Sequence, residues 1–160
     1  MSVRFFTAPG TPLLNTDHSA VRMNSHGARA ALAVHSHVAR IYQQAYNAQT
    51  FDFEKDVGLF MAPDITIVSG DTLDTRSLLR DVSHARADYV RSTGAVVTIN
   101  LAITCVASLD TAVVLVAEGD YTFTYPDQST YTQCLMISST LGLLDGAWIF
   151  QHMHFGEGCL

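Results

Sequence analysis

Charge is scarce in this chain. Of 160 residues, 15% are Asp, Glu, Lys or Arg, and the one lysine is Lys55. Nine basic residues stand against fifteen acidic ones, a formal net charge of −6 with histidine neutral. Without a basic patch, nucleic acid and anionic membrane surfaces are excluded as main partners. Long apolar runs are also missing. No stretch reaches the roughly 18–20 uncharged apolar residues that cross a bilayer, so no membrane association is expected. The opening residues, MSVRFFTAPG, lack an apolar h-region, and no signal peptide is expected. Cysteine is sparse and odd in number: Cys105, Cys134 and Cys159 lie far apart, with no CxxC pair. That argues against a disulfide framework and for a reduced, cytoplasmic protein. Cys105 and Cys134 read as buried strand residues rather than nucleophiles. There is no Gly-rich phosphate loop, HExxH helix or Ser-His-Asp order, and neither cofactor nor metal is expected.

What is abundant is apolar surface. Hydrophobic residues make up 48% of the chain, enough to bury one full core, which excludes general disorder. Residues 1–26 hold Pro9, Gly10, Pro12 and Asn15 without a sustained period, and read as a partly ordered arm. Phe5 and Phe6 are its candidate anchors on the body or a neighbour. Residues 27–160 read as one domain.

From Ala28 to Gln49 the period is helical, with Val34, Val38, Ile41, Ala45 and Ala48 in one stripe. His35, Ala39, Tyr42 and Tyr46 make a second stripe beside it, and Asn24 and Ser25 are candidate caps. Thr50 to Met61 reads as a short helix stopped by Pro63. Asp64 to Ser69 reads as a strand leaving through a Gly70-Asp71 turn. A third helix is expected over Thr72–Arg91, burying Leu78, Val82, Ala85 and Tyr89, with Arg76, Arg80 and Arg86 off that stripe. After Gly94 the period becomes two. Strands are expected over 95–107, 111–125, 129–142 and 147–155, with Asp145-Gly146 as a hairpin turn. The segment AVVLVA (112–117) is apolar on both faces, which implies cover on both. Helices first and a meander of strands after them make an α+β fold. A curved, mainly antiparallel sheet would wrap the long N-terminal helix as a cone-shaped barrel with a cavity inside. The outer apolar cover around 112–116 predicts a homodimer.

Two segments carry a resemblance: YQQAYNAQTFDFEKDVGLFMAPDITIV (42–68) and DGAWIFQHMHFG (145–156). With the element order, residues 28–156 resemble the nuclear-transport-factor-2-like superfamily. Within it the chain is similar to the SnoaL-like group and to the association domain of calcium/calmodulin-dependent kinase. The resemblance implies a cone-shaped α+β barrel. The superfamily spans isomerases, cyclases, dehydratases and pure interaction modules, so fold does not choose among them. The resemblance to its ketosteroid isomerases matches Tyr42 to their hydrogen-bonding tyrosine. Their aspartate base corresponds to about Ser69. A serine is no carboxylate base, which counts against steroid isomerisation unless Asp71 takes that role.

The candidate chemistry follows from residue type and placement. Tyr42 could donate to a ligand carbonyl or enolate in a water-poor cone, or simply pack in the core. Tyr46 lies one turn further on. His152 and His154, two apart on a strand, share a face with Trp148 and Phe150. One of them could act as a base near neutral pH; two ligands alone do not hold a metal. Asp120, on a face with Glu118 and Thr122, is an acid/base candidate if that face lines the cavity. Asn100 and Gln133 are candidate pocket amides, and Trp148 joins the ligand-binding set. His35 lies two turns before Tyr42 on the same helix face; its place near the helix start favours the surface. Two functions are therefore expected in alternative. The first is a protein binding a small apolar molecule in the cone, as a cofactor-independent acid/base isomerase, cyclase or dehydratase. Its working residues would be Tyr42, Asp120, His152 and His154. The second is a non-catalytic ligand-binding or oligomerisation module.

Overall fold

The period-two half of the chain forms long strands, and the helical half packs across one face of them. The computed structural model describes residues 4–6, 26–70, 72–109 and 111–156. The strands are β1 (Arg4–Phe6), β2 (Met61–Ser69), β3 (Thr72–Thr75) and β4 (Val96–Ser108), then β5 (Ala112–Thr124), β6 (Thr130–Leu144) and β7 (Ala147–Phe155). The helices are α1 (His26–Ala48), α2 (Phe53–Asp56) and α3 (Arg76–Thr93), with a 3-10 turn at Gly58–Phe60. Asn24, Ser25 and Asp71 fall outside the described residues.

The sheet order is β1-β4-β5-β6-β7-β2-β3. Among the described residues β2 and β7 pair in parallel and the other neighbours are antiparallel. The sheet is therefore α+β in context, mixed, and open between β1 and β3 rather than closed into a barrel. Asp145 (φ 48°) and Gly146 (φ 82°) make the expected β6–β7 hairpin. The short segment Arg4–Phe6 pairs with Val106–Ser108 at the edge of β4, so part of the N-terminal arm belongs to the sheet.

Two bulges bend the sheet and reset which side chains face inward. One lies between Ile103 and Cys105 on β4, the other at Gln151 on β7, between the pairs Leu141–Phe150 and Thr140–His152. Each extra residue reverses the alternation beyond it. On β4, Ile103 and then Val106 are buried. On β7, Phe150 and then Met153 are buried. Pro63 does not end a helix as expected. It lies within β2, in the interval between Met61 and Thr66 where pairing with β7 is interrupted, a position that needs no donor.

The third helix starts later than its sequence suggests. Thr72–Thr75 turns back on β2 through Gly70 (φ 56°) and pairs with it as β3. Helix α3 follows from Arg76 and ends at Gly94 in the left-handed conformation. Its buried stripe is Leu79, Ser83, Ala87 and Val90. Val82 and Tyr89, expected inside, are 46% and 43% exposed. The whole stripe is rotated by about one residue, because small Ser83 and Ala87 let the helix approach the tyrosines of α1.

Helix α1 closes an otherwise bare edge. Beyond its pairing with β1, strand β4 has no strand neighbour on that side among the described residues. The Asn47 side chain donates to the Val97 carbonyl at 2.8 Å and accepts from the Val97 amide at 2.7 Å. Gln43 accepts from the Ile99 amide at 2.7 Å. Two polar side chains one helical turn apart thus stand in for a missing strand. Asn47→Leu should lower stability by about 2 kcal/mol, since both groups of Val97 lose their partner behind an apolar side chain. Urea unfolding checks this; a variant as stable as the parent would show that water replaces Asn47 freely.

Candidate functional site

The faces of α1 and α3 that meet the sheet do not fill the space between them. A cavity of about 320 Å³ remains, at the low end of the roughly 300–1,000 Å³ usual for small-molecule sites. Helix α1 contributes His35, Val38, Tyr42 and Tyr46, and α3 contributes Leu78, Val82, Ser83 and Arg86. The sheet contributes Ser69, Ile99, Leu101, Tyr121, Gln133, Leu135, Phe150 and Met153. The wall is mostly apolar and holds no Asp or Glu among the described residues.

Tyr42 and Tyr46 converge on α3 at one point. The Tyr42 hydroxyl lies 3.1 Å from Ser83 Oγ, and the Tyr46 hydroxyl donates to the Ser83 carbonyl at 3.0 Å. Tyr42 also stacks on Phe51, with centroids 5.3 Å apart, and Tyr46 packs on the same ring at 4.8 Å. Burial raises the Tyr42 pKa to about 12 and pushes Tyr46 higher still. Both phenols are therefore neutral hydrogen-bonding groups at ordinary pH. The Tyr46 proton is committed to a carbonyl. The Tyr42 proton is free for a ligand when Ser83 acts as the donor between them.

His35 is buried, 6% exposed, although a surface place was favoured for it. Ala28, Ala31 and Leu32 are buried with it, so the first turns of α1 lie under the sheet rather than outside it. The imidazole packs on Phe150, centroids 5.8 Å apart, with no side-chain hydrogen bond among the described residues. Desolvation lowers its pKa to about 4, which keeps it neutral at ordinary pH. Gln133 faces the cavity opposite Tyr121 in the β5–β6 register.

The remaining strand candidates lie on the other face. Asp120 accepts from Asn100 Nδ2 at 3.2 Å and from Thr122 Oγ1 at 3.3 Å, and pairs with Cys134 across the strands. Its inward neighbours are Tyr121 and Phe123, so the apolar half of the alternation faces the cavity. His152 meets Thr66 Oγ1 through Nδ1 at 2.6 Å, and His154 is exposed. The Gln151 bulge separates them from Phe150, which is 1% exposed and points inward. The shared face expected for Phe150 and the two histidines therefore does not form. Trp148 lies over Gly27 at the start of α1, where an added Cβ would sit 2.7 Å from its ring, and it does not reach the cavity. Cys134, expected inside, is exposed. The side chain of Cys105 and all of Cys159 fall outside the described residues. Among the described residues no three His, Cys, Asp or Glu side chains gather as a metal site would require. No helix there is long and apolar enough to cross a membrane.

Two cavity residues escaped the sequence. Tyr121 is 3% exposed and its hydroxyl is buried without a hydrogen-bond partner among the described residues. Arg86 lies over the Tyr121 ring, its guanidinium carbon 4.7 Å from the centroid. The signal for Tyr121 was the run Tyr121, Phe123, Tyr125, whose face is the apolar one. Arg86 had no signal, since it depends on the one-residue rotation of α3.

No family model and no curated protein matches the chain. Solved structures do. A provisionally assigned ketosteroid isomerase from Shewanella frigidimarina is 18% identical with a TM-score of 0.55, covering 79% of this chain and 94% of its own. A protein of the nuclear-transport-factor-2-like type from Cytophaga hutchinsonii is 13% identical with a TM-score of 0.55, covering 83% and 98%. A provisionally assigned calcium/calmodulin-dependent protein kinase II association domain from Xanthomonas campestris is 19% identical with a TM-score of 0.51, covering 88% and 93%. At such identities the likeness is one of fold.

Proposed function

We propose that this chain, which has the nuclear-transport-factor-2-like fold, holds a small apolar molecule in the cavity between its helices and its sheet. The observation that carries this reading is the wall itself. An apolar space of about 320 Å³ is lined by a few polar groups, among them the hydroxyls of Tyr42 and Tyr121, the neutral His35 imidazole and the Gln133 amide. Apolar walls bind by burial, and sparse polar groups orient the guest. Acid/base turnover would draw on the same groups. Tyr42 would hold a carbonyl oxygen, and His35, the one imidazole on the wall, would take the proton. With no carboxylate on the wall and a histidine of such low basicity, the geometry supports binding more strongly than turnover.

The test uses a neutral probe, N-phenylnaphthylamine, whose fluorescence rises in apolar surroundings. Saturable binding is expected, and Ile99→Trp, which fills the space, should weaken it about tenfold or more. Chemical-shift changes at Tyr42 and Tyr121 should accompany probe binding. Absence of saturable binding, or equal binding by a folded Ile99→Trp variant, would overturn the reading.

A second reading is subunit assembly through the outer sheet face, as a homodimer. It draws on the exposed Val114 beside the half-buried Val116, and on the fold shared with an association domain. Sedimentation velocity decides it: a monomer at all concentrations removes the assembly reading and leaves ligand binding untouched.

A further inference from the structure

The polar part of the cavity has a sign. Among the described residues Arg76 pairs with Glu54, Arg80 with Asp81 and Arg91 with Asp88. Arg86 has no ion pair and no side-chain hydrogen bond there, although it is half-buried. It lies with one face on the Tyr121 ring, which leaves the N–H edge of the guanidinium without a protein acceptor. No Asp or Glu shares the cavity wall with it. Its charge is felt at Tyr42, Tyr46 and Tyr121 alike. A partly buried cation without a counter-ion is costly, as is a buried hydroxyl without a partner. The two unmet groups stand together, in a protein whose overall charge is −6.

We propose that the ligand of this cavity is an apolar acid, whose carboxylate pairs with the Arg86 guanidinium and accepts a hydrogen bond from the Tyr121 hydroxyl. This rests on the reading of the cavity as a ligand site. A carboxylate fits because it is planar, carries one charge against one cation, and matches the fork of a guanidinium. A phosphate dianion would leave a second charge buried, since no lysine, second arginine or further cation lines the wall among the described residues. The remaining lining, from Val38, Leu101, Leu135 and Met153, takes the apolar body of the acid.

The experiment compares two ligands of one shape, naphthaleneacetic acid and naphthaleneacetamide, as competitors of N-phenylnaphthylamine. The acid should displace the probe at about tenfold lower concentration than the amide. Arg86→Met should bring that ratio to about one while the neutral probe still binds. Tyr121→Phe, which keeps the ring, should reduce the ratio by a smaller factor. Equal displacement by acid and amide in the parent, or an unchanged ratio in Arg86→Met, would overturn the proposal while the cavity reading stands. A neutral probe that never binds removes the cavity reading and the acid with it.

Discussion

Gly119→Ala should destabilise the chain by about 3 kcal/mol, the upper end of what an overpacked interior usually costs. Gly119 lies midway along β5, opposite Leu101 of β4. A Cβ there would run into the Asn100 carbonyl oxygen, 2.8 Å from its carbon and 3.1 Å from Leu101 Cα. All three atoms are backbone. Relief requires β4 and β5 to separate, but β5 is held between β4 and β6 along its whole length. Gly142 supplies the comparison. The three atoms nearest a Cβ on Gly142 all belong to the end of the Gln151 side chain, which can swing into solvent. Gly142→Ala should therefore cost less than about 1 kcal/mol, since alanine also lowers the entropy of the unfolded chain. Urea denaturation of both variants reads the difference. Equal losses would mean that the β4–β5 ladder yields where the register says it cannot.

The same register explains which parts of the molecule were legible beforehand. The four long strands, the Asp145-Gly146 turn and the long first helix follow from periods of two and 3.6, which are local properties, whereas the short β1 and β3 carry no such period. Tyr42 and Tyr46 on α1 were legible for the same reason: they lie one turn apart and meet one partner, Ser83, whereas the burial of His35 on that side was not. On the strands the period alone does not say which face is inside, and a bulge reverses the answer partway. Gln151 on β7 does this between Phe150 and His152, and Thr104 on β4 does it between Ile103 and Val106. Asp120 and Asn100 lost their place in the cavity to Tyr121 and Ile99, because apolar neighbours decide the inward face where a core is available. Arg86 and Ser83 depend on the rotation of α3. That rotation is set where Ser83 meets the tyrosines of α1, a contact between segments that no helical period records.

Acid should weaken the fold through one side chain well before the carboxylates titrate. His35 is buried with its pKa lowered from 6.5 to about 4, by loss of water around the charged form. A depressed pKa in the folded state contributes stability that is fully present above the unfolded value. It is lost as pH falls from about 6.5 toward 4, because the unfolded chain binds the proton first. A shift of this size corresponds to about 3 kcal/mol, most of it gone by about pH 4.5. The hydrogen-bonded carboxylates of Asp52, held by Lys55, and Asp127, held by Ser129, also have lowered values. Their contribution is lost only below the ordinary carboxylate value of 3.8, outside the histidine window. His35→Gln keeps a polar side chain of similar length but cannot titrate. Its unfolding free energy should stay nearly flat between about pH 6.5 and 4.5, where that of the parent falls steeply. Parallel slopes for the two proteins would place the acid sensitivity elsewhere, and His35 would then be reached by water through the cavity it lines.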